Sequence, residues 1–373
     1  MKLVYNFDGS AIPIWVMALF WLIYMLAFVY AFNKTLLPWR INRSRVNKLH
    51  TDVTYLFIIF FTLYAIFYCV NDDYFQYRDW IYGRDFGFWG KEMFYVYVIL
   101  FCRFIPFDYP FELFRLIVWG GAILLVFFTF RMYRKKLMPG LVLLMLFVFY
   151  SNAFCYARAS LGMAVFFLGV SLYLRQKQWA MKALGIVIAM SAVFFHREML
   201  VGIAVLPSLF IPLEKRVNSY LSVFMLLLVT LGISLIGLDF NYFDSIFDND
   251  DISNKLEEFS NQEQGAFRLS TLIKYLNYFY PFYLVTMVFW EKRVPHSVAG
   301  FYRIAYSILL ISVAFMIILG LRSVYTYRIM YISMIPLTLL TGFCLCKGYL
   351  KRNEFLIMMM LSLLSNSSRF INA

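Results

Sequence analysis

An arginine and a histidine that begin and end two adjoining hydrophobic segments are the residues best suited to chemistry. Arg158 opens a segment predicted as a helix over 157–174, and His196 follows a second one over 179–195. Two antiparallel helices joined by the short turn 175–178 return to the face where they began, so Arg158 and His196 share one end of a hairpin. A guanidinium binds phosphate oxygens, and an imidazole exchanges protons near neutral pH. The pair therefore predicts a site for a phosphorylated substrate.

Glu198 and Arg197 add charge to the same end of this hairpin. Glu198 either orients the imidazole of His196 or acts as the general base itself. The simpler interpretation of the His-Arg-Glu sequence is a polar turn between two helices, without a chemical role. For Arg158 the simpler interpretation is that its long side chain reaches along the helix to the bilayer surface. Cations are disfavoured on the outer side of a membrane, and this favours a functional role for Arg158 there.

An acidic and aromatic segment over 71–79 precedes these helices and suits sugar recognition. The carboxylate of Asp73 can accept hydrogen bonds from sugar hydroxyl groups, and the rings of Tyr74 and Tyr77 can stack on pyranose faces. The alternative is an ordinary aromatic belt with solvated carboxylates at the membrane surface. The segment adds candidate substrate-binding residues and, in Asp73, another candidate base.

A second basic segment, also rich in tyrosine, lies later in the chain. Arg322 and Arg328 flank Tyr325, and Tyr325 and Arg328 share a helical face because they are three residues apart. With Arg158 and Arg197, these arginines can converge on a diphosphate, whose oxygens match the guanidinium fork. No Asp-X-Asp motif or His/Asp cluster calls for a metal. We therefore expect no metal and no cofactor, with arginines stabilising the leaving group instead.

The composition indicates that these residues belong to a membrane protein. Of 373 residues, 62% are hydrophobic and 21% are aromatic, and the mean hydropathy is +0.71, whereas soluble domains are closer to half apolar. The net charge is +13, and the basic clusters lie in every second loop, as the positive-inside rule expects. This distribution argues against a nucleic-acid partner. The five cysteines show no metal-ligand spacing with histidine, and we expect no disulfide framework.

Twelve apolar segments approach or reach the length of about 20 residues that a bilayer requires. They predict an all-α polytopic fold with roughly 12 transmembrane helices, forming a single transmembrane domain over 1–373. With the basic loops in the cytoplasm, the hairpin end that carries His196 faces outward. Two external elements are predicted, 71–111 and 239–270, and the first includes an interfacial or re-entrant helix over 93–105. The predicted spans are 11–32, 53–70, 112–130, 138–153, 157–174, 179–195, 199–213, 218–238, 271–290, 299–320, 325–346 and 354–370.

These residues resemble the EpsG-like, Wzy-type family of bacterial polysaccharide polymerases. The matching features are Asp73 with its neighbouring tyrosines, Arg158 at the start of a helix rich in small residues, His196 at the end of the next helix, and Arg328 among tyrosines. The resemblance covers most of the chain in hydropathy and spacing. It implies a GT-C-like glycosyltransferase in the bacterial cytoplasmic membrane, with its active site on the external, periplasmic face.

The resemblance also implies a reaction and partners. The enzyme would join sugar repeat units carried on undecaprenyl diphosphate, with the growing chain as donor and a sugar hydroxyl of a new lipid-linked unit as acceptor. A base takes the hydroxyl proton, the oxygen attacks C1, and the lipid diphosphate leaves, so positioning and anion stabilisation dominate catalysis. The implied partners are the two lipid-linked oligosaccharides, the lipid bilayer and a chain-length regulator protein.

Two other functions remain open from the sequence. An O-antigen ligase would need similar arginines and a similar base, but it would pass the glycan to a lipid A core rather than to a prenyl-linked unit. A lipid-linked oligosaccharide flippase belongs to a different class, since transporters place charges near the bilayer midplane, often in repeated halves. The marked residues cluster at one face and no internal repeat is visible, and this favours an enzyme.

Overall fold

The computed structural model describes residues 74–83, 93–106, 108–132, 157–210, 269–291, 296–319, 329–346 and 349–351, with single residues in 15–26, 56–63 and 353–364. Within this part of the chain every regular element is a helix, which confirms the all-α fold class. The predicted spans 138–153 and 218–238 and nearly all of the predicted external element 239–270 lie outside the described residues. The spans predicted at 11–32, 53–70 and 354–370 are covered only by single positions.

The described helices follow one another with short connections where the chain is continuous. They are α1 (Tyr74–Ile81), α2 (Met93–Phe104), α3 (Pro110–Arg115), α4 (Gly121–Arg131), α5 (Ala157–Arg175), α6 (Trp179–Ser191), α7 (Met199–Val205), α8 (Leu269–Glu291), α9 (His296–Leu319) and α10 (Met334–Cys346). A π-helical turn, Leu116–Gly120, joins α3 to α4, and the 3-10 turns Ala192–Phe194 and Leu206–Phe210 follow α6 and α7. Residues 329–332 are also helical.

Two helical stretches in the described part of the chain are long and apolar enough to cross a bilayer. They are Pro110–Thr129 and Arg158–Arg175, which coincide with the predicted spans 112–130 and 157–174. Shorter apolar helices cover Met93–Phe104, Trp179–Phe194, Met199–Phe210 and Val298–Ala314. These are shorter than a full span, but their apolar composition suits a membrane location.

The helices α5 and α6 form the predicted hairpin and cross with their backbones in close contact. The Cβ atom that an alanine would add at Gly169 would lie 2.4 Å from the Ala189 nitrogen and 2.5 Å from the Gly185 carbonyl oxygen. An added Cβ at Gly185 would lie 2.6 Å from the Tyr173 nitrogen. The two glycines permit this approach because they carry no Cβ, as small residues do where helices pack tightly.

The helices α7 and α9 pack along α5 and complete the bundle around it. Gly202 of α7 lies against the ring of Phe166, with an added Cβ at 3.1 Å from the ring. Near the end of α5, an added Cβ at Gly300 would meet Leu174 Cδ2 at 2.5 Å. Close to the start of α9, Arg303 donates a hydrogen bond to the carbonyl oxygen of Leu209. The start of α9 therefore packs at the α5 end opposite Arg158.

The part of the predicted external element 71–111 that the structure describes consists of α1, α2 and the start of α3. Arg103 of α2 closes the C-terminal turn of α1: its Nε donates to the carbonyl oxygens of Trp80 (2.9 Å) and Ile81 (3.2 Å). A cation at this position also complements the helix dipole. The chain leaves α1 through Gly83, whose φ of +78° suits glycine.

The helix predicted over 93–105 is α2, which ends just before Pro106. Its residues Tyr95, Ile99 and Cys102 are buried in one apolar cluster with residues of α1 and α3. The structure therefore confirms a short helix there and shows that it is packed against the bundle. Its depth in the bilayer stays a prediction.

Candidate functional site

Arg158 lies in the first turn of α5, where two tyrosines from different helices contact it. Its guanidinium carbon Cζ is 5.7 Å from the centre of the Tyr77 ring of α1, which is within the range of a cation–π interaction. The hydroxyl of Tyr95 in α2 donates a hydrogen bond of 3.2 Å to the Arg158 carbonyl oxygen. The side chain of Arg158 is half-buried, so the cation is held at the edge of the packed bundle.

His196 and Glu198 lie in the tight turn between the 3-10 turn after α6 and the start of α7. The His196 backbone nitrogen donates to the Ala192 carbonyl oxygen (3.1 Å), and the His196 carbonyl accepts from the Met199 nitrogen (3.0 Å). Nε2 of His196 is 3.3 Å from Oε2 of Glu198, and the two side chains are only 13% and 14% exposed. The two groups are close enough for an ion pair when the imidazole is protonated.

Gly162 shows how close Arg158 and His196 are to each other. A Cβ built on Gly162 would lie 3.4 Å from the His196 Cβ and 3.0 Å from the Met199 Cγ. Gly162 is four residues after Arg158, so the two positions are neighbours on one face of α5. The structure thus places Arg158 and His196 at the same end of the hairpin, as predicted.

The ring of Tyr77 faces the packed interior as well as Arg158. Tyr77 is 1% exposed, and its ring centre is 5.5 Å from that of Trp80 and 5.3 Å from that of Phe114. A ring enclosed in this way offers its surface to the guanidinium of Arg158, whereas the stacking on a sugar proposed from the sequence needs an open face.

A comparison with protein families decides where this chain belongs. The model of the EpsG family matches residues 52–372. The chain belongs to the EpsG family. This family suggests a membrane protein of the polysaccharide-polymerase type, in agreement with the apolar helices. Neither the curated proteins nor the solved structures contain a match to the chain.

Several residues of the predicted EpsG-family site lie outside the described residues. These are Asp73, Arg322, Tyr325 and Arg328, and for Tyr74 only the backbone, at the start of α1, is described. Arg197 is described and is exposed beside His196. The roles assigned to all of these residues stay predictions. Among the residues that the structure does describe, no group of three His, Cys, Asp or Glu side chains is arranged to hold a metal ion.

The sequence did not reveal the buried hydrogen bond between Ser160 and Tyr331. Their hydroxyl oxygens are 2.9 Å apart, and the two residues are 0% and 1% exposed. Ser160 follows Arg158 by two residues, and Tyr331 follows Arg328 by three. The bond therefore ties the chain just after Arg328 to the first turn of α5.

Phe94 of α2 is a further contact that the sequence did not reveal. Its ring centre is 4.2 Å from that of Phe195, the residue directly before His196, while the next residue, Tyr95, bonds to Arg158. Two successive residues of α2 thus contact both sides of the hairpin end. Arg158 and the turn that carries His196 and Glu198 are consequently both packed against α2.

Proposed function

We propose that this chain is a polysaccharide polymerase, a membrane glycosyltransferase that joins undecaprenyl-diphosphate-linked repeat units. The protein would have about twelve transmembrane helices in a GT-C-like arrangement and would lie in the bacterial cytoplasmic membrane, with its active site at the external face. Family membership supports the polymerase class. The twelve spans and the external face rest on the apolar segments and the alternation of basic loops in the sequence.

The observation that carries this proposal is the neighbourhood of Arg158 and the His196–Glu198 pair at one end of an apolar hairpin. Ionisable groups at the boundary of an apolar bundle are costly and usually serve function. Arg158 supplies the cation that a departing diphosphate needs, and the His196–Glu198 pair, 3.3 Å apart, supplies a proton acceptor with an orienting carboxylate. Arg158 and Gly162, the residue of α5 that lies against His196, are one helical turn apart.

In the proposed reaction the acceptor hydroxyl loses its proton to His196, while Glu198 stabilises the imidazolium. The hydroxyl oxygen forms a bond to C1 of the donor sugar, and the bond between C1 and the phosphate oxygen breaks. The electron pair stays on the lipid diphosphate, where Arg158 binds the developing charge, assisted by Arg197, Arg322 and Arg328. Preorganised donors of this kind contribute about 2.7–4 kcal/mol each.

Asp73 is the other candidate base, and Tyr74 and Tyr325 are candidate contacts to the sugar or the diphosphate. These three assignments rest on the sequence and on the family. If Asp73 is the base, the His196–Glu198 pair would instead orient the acceptor. The substitution of His196 described in the Discussion separates these two arrangements.

The test is a polymerisation assay with a substrate prepared from the source organism. A strain without this gene should accumulate its own lipid-linked repeat unit, and the lipid extract of that strain then serves as donor and acceptor for the purified protein in nanodiscs. We expect a ladder of products that differ by one repeat unit. Transfer of the glycan to an added lipid A core would instead indicate a ligase. Movement of the lipid across vesicles without any ladder would indicate a flippase.

The proposed orientation has a separate test by cysteine labelling in intact cells. A cysteine introduced at Arg197 should react with a membrane-impermeant maleimide, whereas a cysteine introduced at Lys177 should be protected from it. The labelling uses a protein in which the five native cysteines are replaced by serine, so that only the introduced thiols react. Labelling at position 177 from outside would contradict the external site.

A further inference from the structure

Arg158 is contacted at two different points by tyrosines from two helices that precede it by more than fifty residues. The Tyr77 ring lies against the guanidinium, 5.7 Å from Cζ. The Tyr95 hydroxyl bonds to the Arg158 carbonyl oxygen at 3.2 Å. One contact restrains the charged end of the side chain, and the other restrains the backbone from which the side chain starts.

The two tyrosines are themselves fixed by the bundle. Each is 1% exposed, and they share the neighbour Phe114, whose ring centre is 5.3 Å from that of Tyr77 and 6.4 Å from that of Tyr95. Arg103 joins α2 to the end of α1 through the Trp80 carbonyl oxygen. Neither tyrosine can turn away from Arg158 without disturbing this packing.

An arginine needs such restraint when its task is to bind a charge that appears only during the reaction. A free side chain of this length populates many rotamers, and ordering it on substrate binding costs conformational entropy. A ring face against the guanidinium favours the cation and limits the orientation of its plane. The donor fork then points in one direction before the substrate arrives, which is the preorganisation that lowers a barrier.

We propose that Tyr77 and Tyr95 are positioning residues that aim the Arg158 guanidinium at the diphosphate leaving group. This inference rests on the proposed function of Arg158. It gives Tyr77 a task different from sugar stacking, and it makes the α1–α2 segment a structural part of the site rather than a cover over it.

The experiment compares substitutions of Tyr77 in the polymerisation assay with the deletion-strain lipid extract. Tyr77→Phe keeps the ring and should keep most of the activity, whereas Tyr77→Leu removes it and should lower kcat about 5- to 30-fold with little change in KM. Tyr77→Met fills the space more flexibly and should give the same loss if the leucine variant does not fold. Tyr95→Phe removes one hydrogen bond and should lower kcat about 3- to 10-fold.

Phe111→Leu is the matched control because Phe111 is buried in the same cluster at 2% exposure and its ring contacts Arg115 instead of Arg158. A role in packing alone would make Phe111→Leu and Tyr77→Leu equally damaging to kcat. That result, or an equal loss in Tyr77→Phe and Tyr77→Leu, would overturn the inference.

A second measurement separates this inference from the proposed function. Thermal unfolding of the purified protein needs no substrate, and the Tyr77→Met and Arg158→Gln variants form a double-mutant cycle with their combination. If the ring contacts the cation, the double variant should lose less stability than the sum of the two single losses. Strict additivity would overturn the contact even in an active enzyme. Coupling without any polymer would leave the contact between Tyr77 and Arg158 standing, but it would overturn the polymerase assignment and with it the diphosphate as the target of Arg158.

Discussion

The two halves of α5 make contacts of different kinds. In its first half Arg158 and Ser160 contact the tyrosines Tyr77 and Tyr331, and Gly162 lies against Met199, the Ala192 carbonyl oxygen and His196. The second half contacts mainly backbone atoms and apolar or aromatic side chains: Gly169 faces the backbone of Gly185 and Ala189, Leu174 faces Gly300, and Phe167 stacks on Phe301. One cation also lies there, with Lys182 Nζ 5.9 Å from the centre of the Tyr173 ring.

This difference shows how one helix both builds the bundle and presents the site. Backbone contacts at the Gly169 crossing cannot adjust, because a backbone atom has no rotamers to choose from. They fix the position of α6 along α5, and therefore the position of His196 relative to the first turns of α5. The side-chain contacts of the first half then set the orientation of the site residues. Substitutions in the two halves should accordingly damage different properties, stability in one and catalysis in the other.

The largest effect is expected for Gly169→Ala. The added methyl would lie 2.4 Å and 2.5 Å from two backbone atoms, so the helices must separate along their whole length. Overpacking typically costs about 1–3 kcal/mol and occasionally more. A clash with the backbone of α6 should reach or exceed the upper value, because backbone atoms cannot move aside as a side chain can. Fluorescence-detected size exclusion should show little monodisperse protein. A normal yield with normal melting temperature would mean that this crossing does not fix the hairpin.

His196→Gln should follow, with loss of activity in folded protein. Glutamine keeps hydrogen bonding and loses basicity, and removal of a general base typically costs about 10²–10⁴ in rate. Cells carrying the variant should lose polymer and accumulate single lipid-linked units, and the melting temperature should stay close to that of the wild type. A normal rate across pH 6–8, together with inactive Glu198→Gln or Asp73→Asn, would assign the base to a carboxylate.

Arg158→Lys should be nearly as damaging as Arg158→Ala. An ammonium cannot copy a two-pronged contact to phosphate oxygens or the broad contact with the Tyr77 ring. Loss of one such contact to the transition state costs on the order of 2–4 kcal/mol, or about 10²–10³ in kcat. The assay should be normalised to folded protein. Full ladders from the lysine variant would show that Arg158 only reaches for the bilayer surface.

The sequence predicted the hairpin because its signals are local. The apolar segments over 157–174 and 179–195, with a short polar turn between them, leave only one simple geometry. That geometry placed Arg158 and His196 at one end without any knowledge of their contacts. The helix over 93–105 was predicted for the same reason, since it is apolar and ends at Pro106.

The contacts that organise the site were not predictable because they join distant parts of the chain. Nothing in the composition of α2 indicates that Tyr95 bonds to Arg158 or that Phe94 meets Phe195. The partnership of Ser160 with Tyr331 depends in the same way on how the helices are arranged around α5. The sequence shows Gly162 only as part of a helix rich in small residues, whereas in the structure its missing Cβ makes room for Met199 and for the turn that carries His196.

Gly162→Ala should sharpen the comparison with Gly169, because here the neighbours are mostly side chains. The added Cβ would lie 3.0 Å from the Met199 Cγ, 3.3 Å from the Ala192 carbonyl oxygen and 3.4 Å from the His196 Cβ, so Met199 and the turn that carries His196 must shift by a few tenths of an ångström. We expect a folded protein with kcat lowered about 5- to 20-fold, since small misplacements of reacting groups are costly. KM should change little.

Gly202→Ala is the matched control for that variant. Its added Cβ, on α7, would lie 3.1 Å from the Phe166 ring, which is similar crowding at the position of α5 one turn beyond Gly162. If Gly202→Ala lowers kcat as much as Gly162→Ala, the loss reflects general repacking of α5 and α7, and the special role of Gly162 is wrong.

The smallest effect is expected for Gly300→Ala, although its added Cβ would come as close as 2.5 Å to a neighbour. The atoms it meets are the two terminal methyl groups of Leu174, at 2.5 Å and 2.7 Å, and Leu174 is only half-buried. A rotation of this side chain relieves the contact for roughly 0.5–1.5 kcal/mol, the cost of an unfavourable rotamer.

Activity per folded molecule of the Gly300→Ala variant should equal that of the wild type, because the contact lies at the end of α5 opposite Arg158. A small fall in melting temperature with an unchanged product ladder is the expected result. A loss of activity as large as that of Gly162→Ala would mean that strain at one end of α5 reaches the other, and the division of the helix into a packing half and a site half would be wrong.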